Sequence, residues 1–224
     1  MKKHISLDLW NTLITSNPEF SFARIKLLQE SYLSDFNSEE ISQAIEVIGR
    51  NTDDINMKTG VSLRSESMYS DVLTQFGITA KENEISELYY QLEPQFLSNL
   101  PELMYPSDEL IEWFEKLVSA GHTLNISSNT AYIKGSTLTK ALSEIGIIDY
   151  FDFLIFSDDI RCSKPSIKFF NHLVSECSKR GISKNEIIHI GDSYEADIEG
   201  ARWADIACIH VSDSKQLLSF TKFD

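Results

Sequence analysis

The run His4-Ile5-Ser6-Leu7-Asp8-Leu9-Trp10-Asn11-Thr12-Leu13 decides how the rest of the chain is read. Its first half is a short apolar stretch, too brief for a helix of ordinary length, and a carboxylate, an amide and a hydroxyl break it at its end. Four further short apolar runs, each bounded by polar turns, occupy residues 123–127, 151–156, 187–190 and 206–211. Helical stretches separate the later ones. In residues 165–180, for example, Ile167, Phe170, Leu173 and Cys177 fall on one stripe. Strands that alternate with helices imply crossover units and a parallel sheet covered on both faces, so the reading is an α/β fold with a Rossmann-like, doubly wound core. Residues 107–120 show how a helix is specified: Ser107 reads as the N-cap, Asp108 and Glu109 complement the dipole, Leu110, Phe114, Leu117 and Val118 form the buried stripe, and Gly121 stops it.

From about residue 18 to residue 95 the pattern changes to helices alone. Phe22, Ile25, Leu28 and Tyr32 recur at helical spacing, as do Ile41, Ala44, Ile45 and Ile48, then Met68, Val72 and Phe76, then Ile85, Leu88, Tyr89 and Leu92. Breaks are expected at residues 51–60 and 77–81. The division that follows is a core built from residues 1–15 and 100–224, with a small all-helical unit of four or five helices inserted over residues 16–99. The stripes read as helix faces packing on one another.

A chain of 224 residues buries a sizeable core, and 42% hydrophobic with 24% charged residues is ordinary for a globular protein. A net charge of -14 argues against a nucleic-acid partner, since phosphate backbones demand a basic face, and against anionic membrane surfaces. It does not exclude a small anionic substrate, because one lysine and one metal ion set the local field in a pocket. Cys162, Cys177 and Cys208 lack metal-type spacing and fit free thiols in a reducing compartment. With no long apolar run at the start of the sequence, the expected location is the cytoplasm. The oligomeric state is not legible.

Four polar segments fall at the carboxyl ends of expected strands, where open parallel sheets bind ligands. They are residues 6–13, residues 124–130 with Ser128 and Asn129, the pair Lys164-Pro165, and residues 190–197 with Gly191, Asp192 and Asp197. Asp8 at a strand tip is placed either to attack phosphorus or carbon or simply to close a turn. Ser128 and Asn129 can hydrogen-bond phosphoryl oxygens, or serve as turn residues. Lys164, close to a helix N-terminus, gains nothing from the dipole, so it is either held by an anion or solvated. Asp192 and Asp197 offer oxygens of the kind Mg²⁺ prefers, or they cap a helix.

In order and spacing, these segments resemble the four motifs of the haloacid dehalogenase superfamily: an aspartate strand end, a Ser/Thr strand end, a lysine and a Gly-Asp acidic loop. The resemblance covers residues 4–13 and roughly 105–211. It implies Asp8 as nucleophile and metal ligand, and Trp10 giving its backbone carbonyl to Mg²⁺. Thr12 would support the loop, Ser128 would hold a phosphoryl group with Asn129 beside it, and Lys164 would balance charge. Asp192 would bind the metal, and Asp197 would act in its outer shell. The helical unit would be a cap that closes over the site. The 35 residues between Ser128 and Lys164 are too few for the larger cap that other members carry there.

One position departs from the pattern. Phosphatases of the superfamily usually carry a second aspartate two residues after the nucleophile, as general acid and base, and here that residue is Trp10. Three activities therefore stay open. The first is a Mg²⁺-dependent phosphatase or phosphotransferase acting on a small phosphorylated metabolite, slowed by the missing acid. The second is a 2-haloacid dehalogenase or a phosphonate hydrolase; the latter would need a cap lysine, with Lys26 and Lys58 as candidates. The third is a degenerate member that binds a ligand or a protein. Arg24, Arg50 and Arg64 are candidates to touch a substrate anion, with solvated surface charge as the default reading.

Overall fold

The computed structural model describes residues 2–212, 216–221 and 223 of the chain; residues 1, 213–215, 222 and 224 of the expected core lie outside them. The first strand, β1 (His4–Leu7), is buried at every position and is followed by a short β2 (Ile14–Thr15). Four helices come next: α1 (Pro18–Ser31), α2 (Ser38–Thr59), α3 (Ser65–Gln75) and α4 (Glu82–Ser98). The chain then runs through β3 (Glu102–Leu103), α5 (Ser107–Ser119), β4 (Thr123–Ser128), α6 (Gly135–Ile145), β5 (Phe153–Phe156) and the single turn α7 (Ser157–Ile160). It ends with α8 (Ile167–Lys179), β6 (Ile187–Gly191), a π-helical turn Tyr194–Glu199, the short α9 (Gly200–Trp203) and β7 (Ala207–His210).

The five long strands form one parallel sheet in the order β5-β4-β1-β6-β7. Leu7 lies opposite both Ile126 and Ile190, which brings the ends of β1, β4 and β6 to one level. Two apolar clusters cover the sheet. One contains Leu110, Phe114 and Leu117 of α5 with Leu138 and Leu142 of α6; the other contains Phe169, Phe170, Leu173 and Cys177 of α8 with Ala201 of α9. Helices on both faces are what a parallel sheet requires, because its strands have no solvated side. The α/β, doubly wound reading is therefore what is observed.

The helices α1–α4 carry a cluster of their own around Leu28, Ile41, Ile45, Met68, Tyr69, Val72 and Leu88. The chain leaves the sheet and returns to it through the antiparallel pair β2–β3, where Ile14 faces Leu103 and Thr15 faces Glu102. The helix α2 is pinned to the strand-end side of the sheet. Tyr132 Oη donates to the Ile45 carbonyl at 2.8 Å, Ser163 N–H donates to the Gly60 carbonyl at 3.0 Å, and Ser163 Oγ donates to the Asn56 carbonyl at 3.3 Å. Gly60, with φ of 68°, ends α2 in a left-handed turn against Ser166, where a β-carbon would sit 2.6 Å from the Ser166 β-carbon.

Several local expectations need correction. Residues 51–60 do not break the chain, since α2 continues to Thr59; its Asn37–Glu40 capping box and buried Thr52 and Asn56 carry it past the polar stretch. Pro106, not Ser107, is the N-cap of α5, and no side chain caps it. Val118, Phe22 and Ile167 are exposed; Trp113, Phe20 and Phe169 are buried in their helices instead. A register error of one or two residues rotates a helical stripe by 100–200°, enough to exchange an outward residue for its neighbour. Among the described residues, no helix is long and apolar enough to cross a membrane.

Candidate active site

The strand-end loops converge on one cavity of about 550 Å³, lined by Asp8, Trp10, Ser128, Asn129, Lys164, Asp192 and Asp197, and by Phe20, Arg24, Asp53, Asn56 and Tyr132 on the side of the helices and the loop after β4. Asp8 is the first residue past β1. Its N–H donates to the Ile190 carbonyl at 2.8 Å, which ties it to β6. The chain then reverses over Asn11, whose φ of 56° lies in the left-handed region that asparagine tolerates better than most side chains. The reversal turns buried Thr12 back beneath the carboxylates. Its Oγ lies 3.3 Å from Asp8 Oδ2 and 3.4 Å from Asp192 Oδ1, and it can donate to only one of them at a time.

Lys164 is 1% exposed. Its ammonium group donates to Asp8 Oδ1 at 2.6 Å and to Asp197 Oδ1 at 2.5 Å. The backbone of Lys164 is clamped as well: its N–H donates to Asn129 Oδ1 at 2.8 Å, and Asn129 Nδ2 donates to its carbonyl at 3.0 Å. Asn129 therefore spends its carboxamide on positioning the lysine. Ser128, fully buried at the end of β4, donates to the Asn129 carbonyl at 3.1 Å and lines the cavity.

Asp197 is held from three sides. Oδ1 accepts from Lys164 and lies 3.0 Å from His189 Nε2, and Oδ2 accepts from the Ser193 N–H at 3.0 Å. Such close support needs Gly191, where a β-carbon would lie 2.2 Å from the Asp197 carboxyl carbon. Behind His189 a buried polar row runs across the sheet: His189 Nδ1 is 3.0 Å from Ser6 Oγ, Ser6 and Ser127 share a hydrogen bond of 3.0 Å, and Asn125 donates to Ser127 Oγ at 2.9 Å and lies 3.0 Å from His4 Nε2.

The charges follow from this geometry. Burial pushes the Asp8 carboxyl up to about 7, helped by Asp197 and Asp192 and opposed by Lys164. Burial and then Asp197 raise the Asp192 carboxyl. Burial acts against ionised Asp197 too, but Lys164 and His189 outweigh it and hold that carboxyl well below the usual carboxylate range. Burial also opposes the charge on Lys164, and Asp197 and Asp8 overcome it, so the amine stays protonated. Burial lowers His189, which keeps the ring neutral.

Three carboxylates thus face one lysine, and oxygens of Asp8, Asp192 and Asp197 all lie within 4.8 Å of one another. Hard oxygen donors with surplus negative charge fit a divalent cation of the Mg²⁺ type. Asp8 and Asp192 have oxygens to offer. Asp197 has its oxygens committed to Lys164, His189 and Ser193, so it suits an indirect role.

All the anticipated residues meet at this cavity except Thr12, which lies directly beneath it. Lys26 and Lys58 do not. Both are largely exposed, on ion pairs with Glu30 and Asp54, which removes them as imine-forming groups. Arg50 and Arg64 are outside the cavity lining, whereas Arg24, expected on the surface, is in it. His189 was not anticipated, because a lone histidine inside an apolar run looks like a strand residue and no more.

The sequence profile described as haloacid dehalogenase-like hydrolase matches residues 5–211. Two curated proteins share shorter segments: the pyrimidine 5'-nucleotidase PynA of Streptococcus pneumoniae strain R6 is 32% identical over 71 residues, 32% of this chain and 29% of that protein. The pyrimidine 5'-nucleotidase YjjG of Escherichia coli strain K12 is 30% identical over 66 residues, 30% of this chain and 28% of that protein. The aligned segment is thus under a third of either relative. Among solved structures, the magnesium-bound HAD-hydrolase YfnB from Bacillus subtilis is similar with a TM-score of 0.67 over 95% of this chain and 90% of that one, at 18% identity, a likeness of fold. Since the profile takes in the sheet from Ile5 onward and every strand-end loop that lines the cavity, the chain belongs to the haloacid dehalogenase-like hydrolase family.

Proposed function

We propose that the chain is a Mg²⁺-dependent phosphatase or phosphotransferase for a small phosphorylated metabolite, working through an aspartyl-phosphate at Asp8, with helices α1–α4 as the cap. The observation that carries this is the imbalance of three convergent carboxylates against one buried lysine, which calls for a second cation. The metal, held by Asp8, Asp192 and the Trp10 carbonyl with Asp197 behind them, would neutralise the charge of an incoming phosphoryl group. Asp8 Oδ2, unclaimed by Lys164, forms the new bond to phosphorus as the leaving oxygen departs with the old bonding pair and takes a proton from solvent. Water then cleaves the aspartyl-phosphate and releases phosphate. Ser128 and Lys164 hold phosphoryl oxygens, Asn129 fixes the Lys164 backbone, and Asp197 with His189 fixes its ammonium. Losing the acid usually found at position 10 removes about 10²–10⁴ in rate, so good leaving groups are favoured. The three free cysteines agree with a reducing, cytoplasmic setting.

The test is release of phosphate from an activated aryl or acyl phosphate, required to depend on Mg²⁺ and to vanish in Asp8→Asn. Nucleoside 5'-monophosphates join the panel because the two curated relatives are nucleotidases. Trp10 favours one other reading, a dehalogenase, whose halide leaves without a proton; chloride release from a 2-haloacid without metal would establish it in place of the phosphatase. A beryllium fluoride adduct at Asp8 with no turnover of any substrate would mark the chain as a binding protein.

A further inference from the structure

Among the described residues, Lys164 and Arg24 are the only lysine or arginine side chains lining the cavity, and they differ in how they are used. Lys164 is already paired with Asp8 and Asp197, which leaves one of its three N–H donors for a phosphoryl oxygen. Arg24, on α1, forms no ion pair among the described residues, not even with Asp53, which lines the same cavity from α2. Its guanidinium carbon lies 5.4 Å from the centre of the Phe20 ring and 5.1 Å from that of Tyr132, so two aromatic faces hold it in place. Its Nε is buried without an acceptor in full hydrogen-bond geometry; the buried Tyr69 hydroxyl beside it interacts with the guanidinium but is neutral, so the charge is left unpaired. A half-buried guanidinium, preorganised by packing and lacking an anion, is poorly explained as a stabilising surface charge. Desolvation costs it hydration that two aromatic faces and a neutral hydroxyl repay only in part. It is well explained as one half of a contact whose other half arrives from outside.

We propose that Arg24 is a second oxyanion subsite: the substrate carries, beside the phosphoryl group taken by the Asp8 end, a carboxylate or a second phosphate that pairs with this guanidinium. Asn56, 2% exposed and lining the same cavity, has a carboxamide oxygen without a partner, which a donor on the substrate would satisfy. The inference rests on the proposed function only for the identity of the first anion.

The experiment measures affinity rather than turnover, on Asp8→Asn protein with Mg²⁺, so that it survives failure of the phosphatase reading. Matched probes differ in one group: 3-phosphoglycerate against glycerol 3-phosphate for the carboxylate, and fructose 1,6-bisphosphate against fructose 6-phosphate for the second phosphate. In at least one pair the member with the second anionic group binds about 10- to 100-fold tighter, as a charge-assisted contact requires, and Arg24→Gln brings that ratio close to one. Arg24→Lys keeps the cation but not the fork and retains an intermediate ratio. Wild-type protein, followed by ligand-induced shift in melting temperature, repeats the comparison should Asp8→Asn fold poorly. Equal affinities within both pairs, or a preference untouched by Arg24→Gln, would overturn the subsite. A preference with no phosphate release from any substrate would keep the subsite and discard the phosphatase.

Discussion

Replacing Lys164 by Met is the sharpest test of how the site is held. Methionine keeps the unbranched apolar stem of the lysine and removes only the ammonium group, so the change isolates charge from packing. In the wild type that ammonium donates to Asp8 and to Asp197, all three side chains being almost wholly buried. Without it two carboxylates are left in the protein with only the neutral His189, the Ser193 N–H and the Thr12 hydroxyl as donors. Breaking a buried pair from one side costs about 3–5 kcal/mol, a large part of the ~5–15 kcal/mol that holds a domain together. The sign of the pH effect follows. In the variant both carboxyls are pushed upward by burial and mutual repulsion, above their unfolded value near ~3.9, so the penalty is full above the folded pKa and shrinks as pH falls towards the unfolded one. Urea denaturation in EDTA, comparing variant with wild type at pH 7.5 and pH 5, should show a midpoint deficit that narrows in acid. A deficit under about 1 kcal/mol at pH 7.5, well below the cost of a broken buried pair, would refute the claim that this lysine neutralises the site. An equal deficit at both pH values would do the same.

Other outcomes follow from the same geometry. Trp10→Asp places an acid two residues after Asp8, the proposed nucleophile, and should raise phosphomonoester turnover about 10- to 100-fold; a folded, Mg²⁺-binding variant with no gain means the missing acid is not limiting. Because burial puts the Asp8 carboxyl at about 7, a proton competes there with the metal, so Mg²⁺ affinity measured by calorimetry should climb with pH up to about 7 and then level off. A flat profile from pH 5.5 to 8 would mean that Asp8 is already ionised. Gly191→Ala places a β-carbon 2.2 Å from the Asp197 carboxyl carbon, so thermal unfolding should register a loss of at least about 1–3 kcal/mol, with Mg²⁺ binding weakened as Asp197 is displaced. His189→Phe fills similar volume but leaves Asp197 and Ser6 each short of a partner, and about 1–3 kcal/mol of stability should be lost in denaturant titration.

Residues 4–13 made the sheet and its strand-end site legible because both depend on local pattern. A short apolar run followed by a carboxylate, repeated at spacings that leave room for helices, admits few architectures. The four motif segments needed no more than order to be placed at one end of the sheet. What pattern could not supply was the direction of side chains across elements. Asn129 looked like a phosphoryl contact, yet both ends of its carboxamide go to the Lys164 backbone, a pairing across 35 positions that no local rule encodes. His189 was hidden for a related reason. His4, Ser6, Asn125, Ser127 and His189 alternate with Ile5, Leu7, Leu124, Ile126, Ile188 and Ile190, so three adjacent strands bury a polar row among their apolar residues, and period-two alternation inside a doubly covered sheet was read as plain apolar character. Arg24 was weighted towards the surface because charge on a helix defaults to solvent, whereas the Tyr132 ring, more than a hundred residues away, closes over it together with Phe20 of its own helix. These three errors share a consequence. Each misread residue acts by holding or awaiting another group, so the reacting groups are written in short motifs while the groups that orient them and select their ligand are written in tertiary contacts. Substitutions at Asp8 or Lys164 should therefore abolish chemistry outright. Changes at Arg24, Asn129 or His189 should instead alter what binds and how firmly.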